Sequence, residues 1–393
     1  VTLLASNSAF EMSGKSDRFL YSDSGSSRIR FRAELGSFAA KATFLRSGRN
    51  DFGASEIDCT GVTLNGKRAP VHLAMKKSDT AHLSVARFRH RRVARWTLLV
   101  LLVTSAPVFS QTTAWTDGTG DWFTPANWSA GVPTSSTNAQ ISNGGTSQIM
   151  SGGAAAGFVE MGAGAGETGT LTISGAGSLQ DESAVYIGED GTGTLSITAG
   201  GTLTSGEFII GDNGGSNGTA TVSGSGSLWT NTGGVCTVGF NGSATLNITN
   251  GGQLSNSNTT GIGSNGAVIV DGVGSTWSDF FQINIGSGTL TISNGGHVSN
   301  FGSTLGGGSG SSGLVDVSGA GSTWTNTGFL ELSGTGGDGT LQITSGAAVS
   351  SGDCFMGKFS GTGTTTVDGA GSTWTINGDL SVGNVFGGVG TVT

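Results

Sequence analysis

The hexapeptide GAGSTW stands at residues 319–324 and returns at 369–374. Variants precede it: GSGSLW at 224–229 and GVGSTW at 272–277. These copies hold four of the chain's eight tryptophans, Trp229, Trp277, Trp324 and Trp374, at steps of 48, 47 and 50 residues. A second motif interleaves with them: GTLSITAGGTL from Gly193, SATLNITNGGQL from Ser243, GTLTISNGGHV from Gly288 and GTLQITSGAAV from Gly339. A third closes the units, as VYIG from Val185, FIIG from Phe208, CTVG from Cys236, INIG from Ile283, CFMG from Cys354 and LSVG from Leu380. Self-similarity at a fixed period marks a repeat architecture and takes precedence over other readings.

The structural unit is about half the tryptophan step. Strand starts fall at Gly169, Gly193, Gly218, Gly242, Gly266, Gly288, Gly313, Gly339 and Gly363, in steps of 22 to 26 residues. Two kinds of unit alternate. One reads L-x-I followed by G-G-x-L or a near variant; the other reads V-x-V followed by G-x-G-S-x-W. The first unit reads as the second kind, with Gln180 in the tryptophan place. Apolar residues alternate within units, as in Leu195/Ile197, Leu246/Ile248, Leu290/Ile292, Val315/Val317 and Leu341/Ile343. Period two predicts strands with one face buried. One such unit cannot bury that face, whereas units stacked like on like can. The predicted fold is therefore all-β: a right-handed parallel β-helix (β-solenoid) with ~24-residue coils in alternating pairs. Glycine suits the corners, where φ is positive or backbones approach closely. Proline is absent after Pro133, as ladders that use every N–H require. Rows of Thr and Asn are expected to add side-chain bonds along the stack.

Composition agrees and divides the chain. Gly is 73 of 393 residues while Pro is 4, without the three-residue period that collagen needs. Residues 1–110 carry 17 Lys and Arg against 8 acids; residues 111–393 carry one base, Lys358, against 18 acids, a net of −17. Such asymmetry marks two pieces with different fates. At the seam, RFRHRRVARW (87–96) precedes the apolar TLLVLLVTSAPVFS (97–110). A basic region, a short apolar run and a small-residue site read as a secretory signal peptide cut after Ser110. The alternative is a buried strand or short core helix. Met75 opens MKKSDT, so 75–110 is assigned as the signal peptide. Residues 1–74 are unassigned, either an upstream start or a genuine extension. Residues 111–165 are read as an N-terminal cap leading into the helix, and 166–393 as its coils.

The paired units, L-x-I-x-x-G-G with V-x-V-x-G-x-G-S-x-W and a closing V-G, resemble the repeat of bacterial autotransporter (type V secretion) passengers and of proteins with a Pro-Glu-Pro C-terminal sorting signal. The lead-in AWTDGTGDWFTPANWSAGVPTSSTNAQIS (114–142) resembles the start of such passengers. The resemblance covers residues 114–393. It implies a secreted or cell-surface, outer-membrane-associated β-helix serving as a structural or adhesive element. Its partners would be host-surface or matrix polysaccharides or proteins, and its membrane contact would run through a C-terminal element beyond Thr393. The sequence stops one strand into a tenth coil, so we expect it to be truncated. The alternative class is a carbohydrate-binding or polysaccharide-degrading β-helix.

Two readings compete for Trp229, Trp277, Trp324 and Trp374. In one they fill an interior corner, with Leu203, Leu254, Val298 and Val349 in the coils between and each indole N–H given to a turn carbonyl. In the other they face outward as a glycan ladder. Catalytic residues are not expected. Lyases want Arg or Lys; residues 111–393 contain Lys358 and His297 only. Hydrolases need two facing carboxylates, whereas GEDG (188–191) and GDNGG (211–215) place acids at turns. His297 occupies a slot given to Thr202, Gln253 and Ala347 in sister units and reads as an outward polar residue. Cys236 and Cys354 take a place held elsewhere by Val185, Phe208, Ile283 and Leu380, so they read as small buried hydrophobes, too many coils apart to bridge. GGDGTLQIT (336–344) lacks the metal-binding Asp of calcium nonapeptides. No metal or cofactor is expected, as there is no P-loop or zinc spacing. The charge argues against nucleic acid.

Overall fold

The computed structural model describes residues 111–393, apart from Val235 and 384–386, together with the backbone of six short strands between Phe19 and Ala69. The predicted leader at 75–110 lies outside the described residues. The six early strands belong to a separate unit, Val1–Val108. They form a small antiparallel sheet built on the pairing of Arg28–Leu35 with Phe38–Arg46.

Residues 111–393 wind into a parallel β-solenoid of about 11 turns. One 3₁₀ turn at Pro125–Asn127 is the sole helical element among these described residues. From Thr192 onward each complete coil carries three strands. In the coil opening at Thr192 they are Thr192–Thr198, Thr202–Ser205 and Glu207–Ile210, here termed the first, second and third faces. In the two coils before it the first two faces run on as one strand, Asn143–Ala156 and Thr168–Asp181. Every face pairs in parallel with the same face of the next coil. Like then stacks on like. Leu171, Leu195, Ala220 and Leu246 lie in register inside the first face, while Thr170, Thr194, Thr219 and Thr245 lie in register outside it. The alternation of buried and half-exposed residues along Thr192–Thr198 is the period-two pattern of the sequence.

The stack extends back into the lead-in. Asn143–Ala156 pairs with Thr168–Asp181, and Phe158–Met161 with Ala184–Ile187. At this end Trp115, Trp122 and Trp128 are buried and meet edge to face, at 5.0 Å and 4.8 Å between centroids. They join the same apolar core as the coils, keeping water from the end of the stack.

Register corrects two sequence assignments. Leu179, not Gln180, occupies the tryptophan place, because Leu179 pairs with Leu203 and Leu203 with Trp229. The corner after Ile173 is one residue shorter than the corner after Val222, so alternation begins one coil later. Likewise Ala348, not Ala347, is the counterpart of His297, since both pair with Thr323; Ala347 is buried.

The hexapeptide's polar half proves as specific as its tryptophan. In GSGSLW, Gly224 and Gly226 have φ of 93° and 83°, a region costly for other residues. The serine that follows staples coils together. Ser322 Oγ donates to the Ser318 carbonyl at 2.7 Å and accepts from the Gly295 N–H of the preceding coil at 3.0 Å. Ser227, Ser275 and Ser372 repeat both bonds. Ser322→Ala orphans the Gly295 N–H and should cost about 1–3 kcal/mol, read as a lowered unfolding midpoint in denaturant. An unchanged midpoint would discount the staple.

Candidate functional site

The four tryptophans form one row on the second face. The row runs Leu203, Trp229, Leu254, Trp277, Val298, Trp324, Val349, Trp374, each in register with the next. Trp229, Trp277 and Trp324 are 0% exposed, and Trp374 packs half-buried against the core in the last complete coil. The interior reading describes them. The outward glycan ladder is set aside for Trp229, Trp277 and Trp324, because rings enclosed on every side present no face to a sugar. Their N–H groups do not reach turn carbonyls as expected. Trp229 Nε1 donates to Ser205 Oγ at 2.9 Å, and Trp324 Nε1 to Asn300 Oδ1 at 2.9 Å. The indole nitrogens of Trp277 and Trp374 have no partner.

These acceptors belong to a second interior row. Asp181, Ser205, Asn231, Asn256, Asp279, Asn300, Asn326 and Ser351 occupy the last place of the second face in eight successive coils, and all are buried. Asn231 Nδ2 donates to Asn256 Oδ1 at 2.7 Å, Asn256 Nδ2 to Asp279 Oδ2 at 2.8 Å, and Asn300 Nδ2 to Asn326 Oδ1 at 2.9 Å. The third face contributes Thr260 Oγ1, which donates to Asp279 Oδ2 at 2.7 Å, and Ser303 Oγ, which donates to Asn326 Oδ1 at 2.9 Å. A polar stripe thus runs inside the apolar core, at the corner between second and third faces. Rows of Asn were anticipated; two carboxyls inside one were not. The signal was available, since Asp279 aligns with Asn256 once coils are registered.

Burial sets the ionisation of those carboxyls. Asp181 is pushed up to about 8, chiefly by burial and further by Glu182, against the backbone N–H groups of Ser183 and Val159. Asp279 is pushed up to about 6 by burial, held back by Thr260, Asn256 and the Phe281 N–H. On the third face Glu160 rises to about 8 through burial, then through its hydrogen bond to Glu189 and the charges of Glu167 and Asp190.

Cys236 and Cys354 are buried free thiols in one interior row of the third face. Burial raises both, Cys354 to about 12, which disfavours the nucleophilic thiolate form. His297 is exposed, with Nδ1 2.7 Å from Thr323 Oγ1. Among the described residues no group of three or more His, Cys, Asp or Glu is placed to hold a metal ion. Nor is any helix there long and apolar enough to cross a membrane.

No protein-family pattern and no curated protein sequence matches the chain. Among solved structures, the crystal structure of the TibC-catalyzed hyper-glycosylated TibA55-350 fragment is similar at 19% identity and a TM-score of 0.27, over 72% of this chain and 98% of that one. The fold assignment rests on the register of the coils themselves.

The interior rows yield two tests. Trp324→Phe breaks a buried hydrogen bond, whereas Trp277→Phe removes an N–H that has none. The first should cost about 1–2 kcal/mol more than the second in equilibrium unfolding; equal costs would contradict the assigned bonding. The raised carboxyls bind more protons folded than unfolded, where an Asp titrates near 4. Their stabilisation is complete below that value and is lost as pH climbs through about 6 for Asp279 and about 8 for Asp181. The melting temperature should fall between pH 5 and pH 8.5. Asp279→Asn removes the titrating group and should shrink the difference, whatever the variant loses at every pH by turning one of two acceptor oxygens into a donor. A difference as large in the variant as in the wild type would refute the assignment.

Proposed function

We propose that this chain is a secreted, surface-displayed bacterial β-solenoid that serves as a structural and adhesive element, a passenger of the autotransporter or Pro-Glu-Pro-sorted kind. One observation carries the proposal: the uninterrupted parallel register on all three faces. A stack of about 11 turns is a stiff body, because adjacent coils share a backbone ladder on every side. It presents long outward rows of small hydroxyl residues, such as Thr170, Thr194, Thr219 and Thr245. The repeat resemblance and the basic, apolar leader support secretion to the surface.

The polysaccharide-degrading reading is weaker on geometry. Hydrolases hold two carboxylates apart across a substrate cleft, about 5–9.5 Å from each other. Here Glu160 and Glu189 are hydrogen-bonded to each other.

Two measurements test the proposal together. Intact cells expressing the gene are treated with a membrane-impermeant protease, and the purified full chain is passed over surfaces coated with matrix protein or polysaccharide. Cleavage on intact cells and retention on a coated surface are expected. A chain protected until the cells are lysed, or one that washes freely from every coating, contradicts the reading.

A further inference from the structure

On the outside of the polar stripe's corner the surface changes character. The residue after each stripe position is Glu182, Gly206, Thr232, Ser257, Phe280, Phe301, Thr327 and Gly352 along the solenoid. Small or polar side chains hold the place everywhere except at Phe280 and Phe301. Phe281 and Phe329 flank them. Phe280 is 72% exposed, Phe301 48% and Phe281 47%. Single exposed phenylalanines need no explanation, but a contiguous group marks a contact surface.

The rings are held in place. Phe280 and Phe281 meet edge to face at 5.0 Å, and Phe301 and Phe329 at 6.2 Å. Phe329 lies over Gly302 and Phe301 over Gly328, where an added Cβ would strike the ring in each case. Phe280, Phe281 and Phe301 wall a groove of about 520 Å³ that draws residues from four successive coils, Ser255 to Thr327. It therefore runs along the solenoid axis for roughly 14 Å, three rises of ~4.8 Å. Its other wall is a row of hydroxyls: Ser255, Ser278 and Ser299 stand in register, and Ser299 Oγ donates to Ser278 Oγ at 3.3 Å.

Charge narrows the occupant. No Lys or Arg lines the groove. Lys358, the one base after residue 110, is 3.5 Å from Glu331. The one acid of the lining, Asp279, is buried and accepts from Asn256 and Thr260. In a region of net charge −17 such a groove repels polyanions and offers nothing to pair with them. What remains is a ligand with apolar faces and uncharged hydroxyls in alternation along a line.

Resting on the adhesive reading above, we infer that this groove binds a neutral polysaccharide chain. Pyranose rings would lay their C–H faces on Phe280, Phe281 and Phe301, and their hydroxyls would bond the serine row. The site lies on the outside of the corner whose inner side holds the buried stripe.

Affinity gel electrophoresis of the full chain tests this, with soluble β-glucan, mannan and galactan as neutral probes and alginate as the anionic control. Retardation by at least one neutral probe and none by alginate is expected. Phe280→Ser, a change at a mostly exposed ring, should weaken that retardation about tenfold, and the double variant Phe280→Ser/Phe301→Ser should abolish it, with the melting temperature of the single variant unchanged. Retardation by no neutral probe, by alginate alone, or equally in wild type and both variants overturns the inference. So does a dimer in sedimentation that dissociates in Phe280→Ser, which would make the patch a contact between copies. Two results separate the readings: retention on a matrix-protein coating with retardation by no neutral probe leaves adhesion standing and removes the groove, whereas neutral-glycan retardation of a chain that stays protected until the cells are lysed does the reverse.

Discussion

Register between coils is the constraint on which everything else in this molecule depends. A parallel coil finds backbone partners above and below only if its strands start where its neighbours' strands start. Each inward side chain then meets its counterpart one rise away. The core is not a pool of hydrophobes but a set of rows, and a residue is acceptable when it suits the row. Leucine alternates with tryptophan on the second face because a large ring needs smaller neighbours above and below. The serine of each G-x-G-S corner also follows from register, since only an aligned corner brings Oγ to the N–H of the coil before.

The same constraint explains a polar stripe in an apolar interior. Side-chain amides stacked at one rise can donate to one another, as Asn231 does to Asn256 and Asn300 to Asn326, although Asn326 Nδ2, Asp181 Oδ2 and Ser351 Oγ stay without a partner. Asp279 joins such a row as an acceptor for Asn256 and Thr260. The cost is a carboxyl whose burial opposes its charge. The stripe also ties the second face to the third through Thr260 and Ser303, fixing the corner on whose outer side the phenylalanines stand.

Much of this was legible beforehand. Period-two alternation, Gly spacing and near-constant steps defined coils, faces and the interior row of Leu203, Leu254, Val298 and Val349 between tryptophans. The errors came from counting. Gln180 was placed one residue off because corner length, which sets the slot, differs between L-x-I units and V-x-V units. The candidate site was less legible. An exposed Phe and a buried Phe are the same letter, and Phe208 is fully buried while Phe280 is mostly exposed.

The amino-acid sequence by itself determined that the chain coils, how long each coil is, and which residues share a row, because repetition and alternation are properties of order along the chain. Only the tertiary structure decided which side of the wall each row occupies at the corners. There the period-two rule lapses, and a left-handed glycine or one extra residue turns a side chain inward or outward. That is why Trp229, Trp277 and Trp324 proved to be core, Asp181 and Asp279 proved to be buried, and the phenylalanines at one corner proved to face solvent.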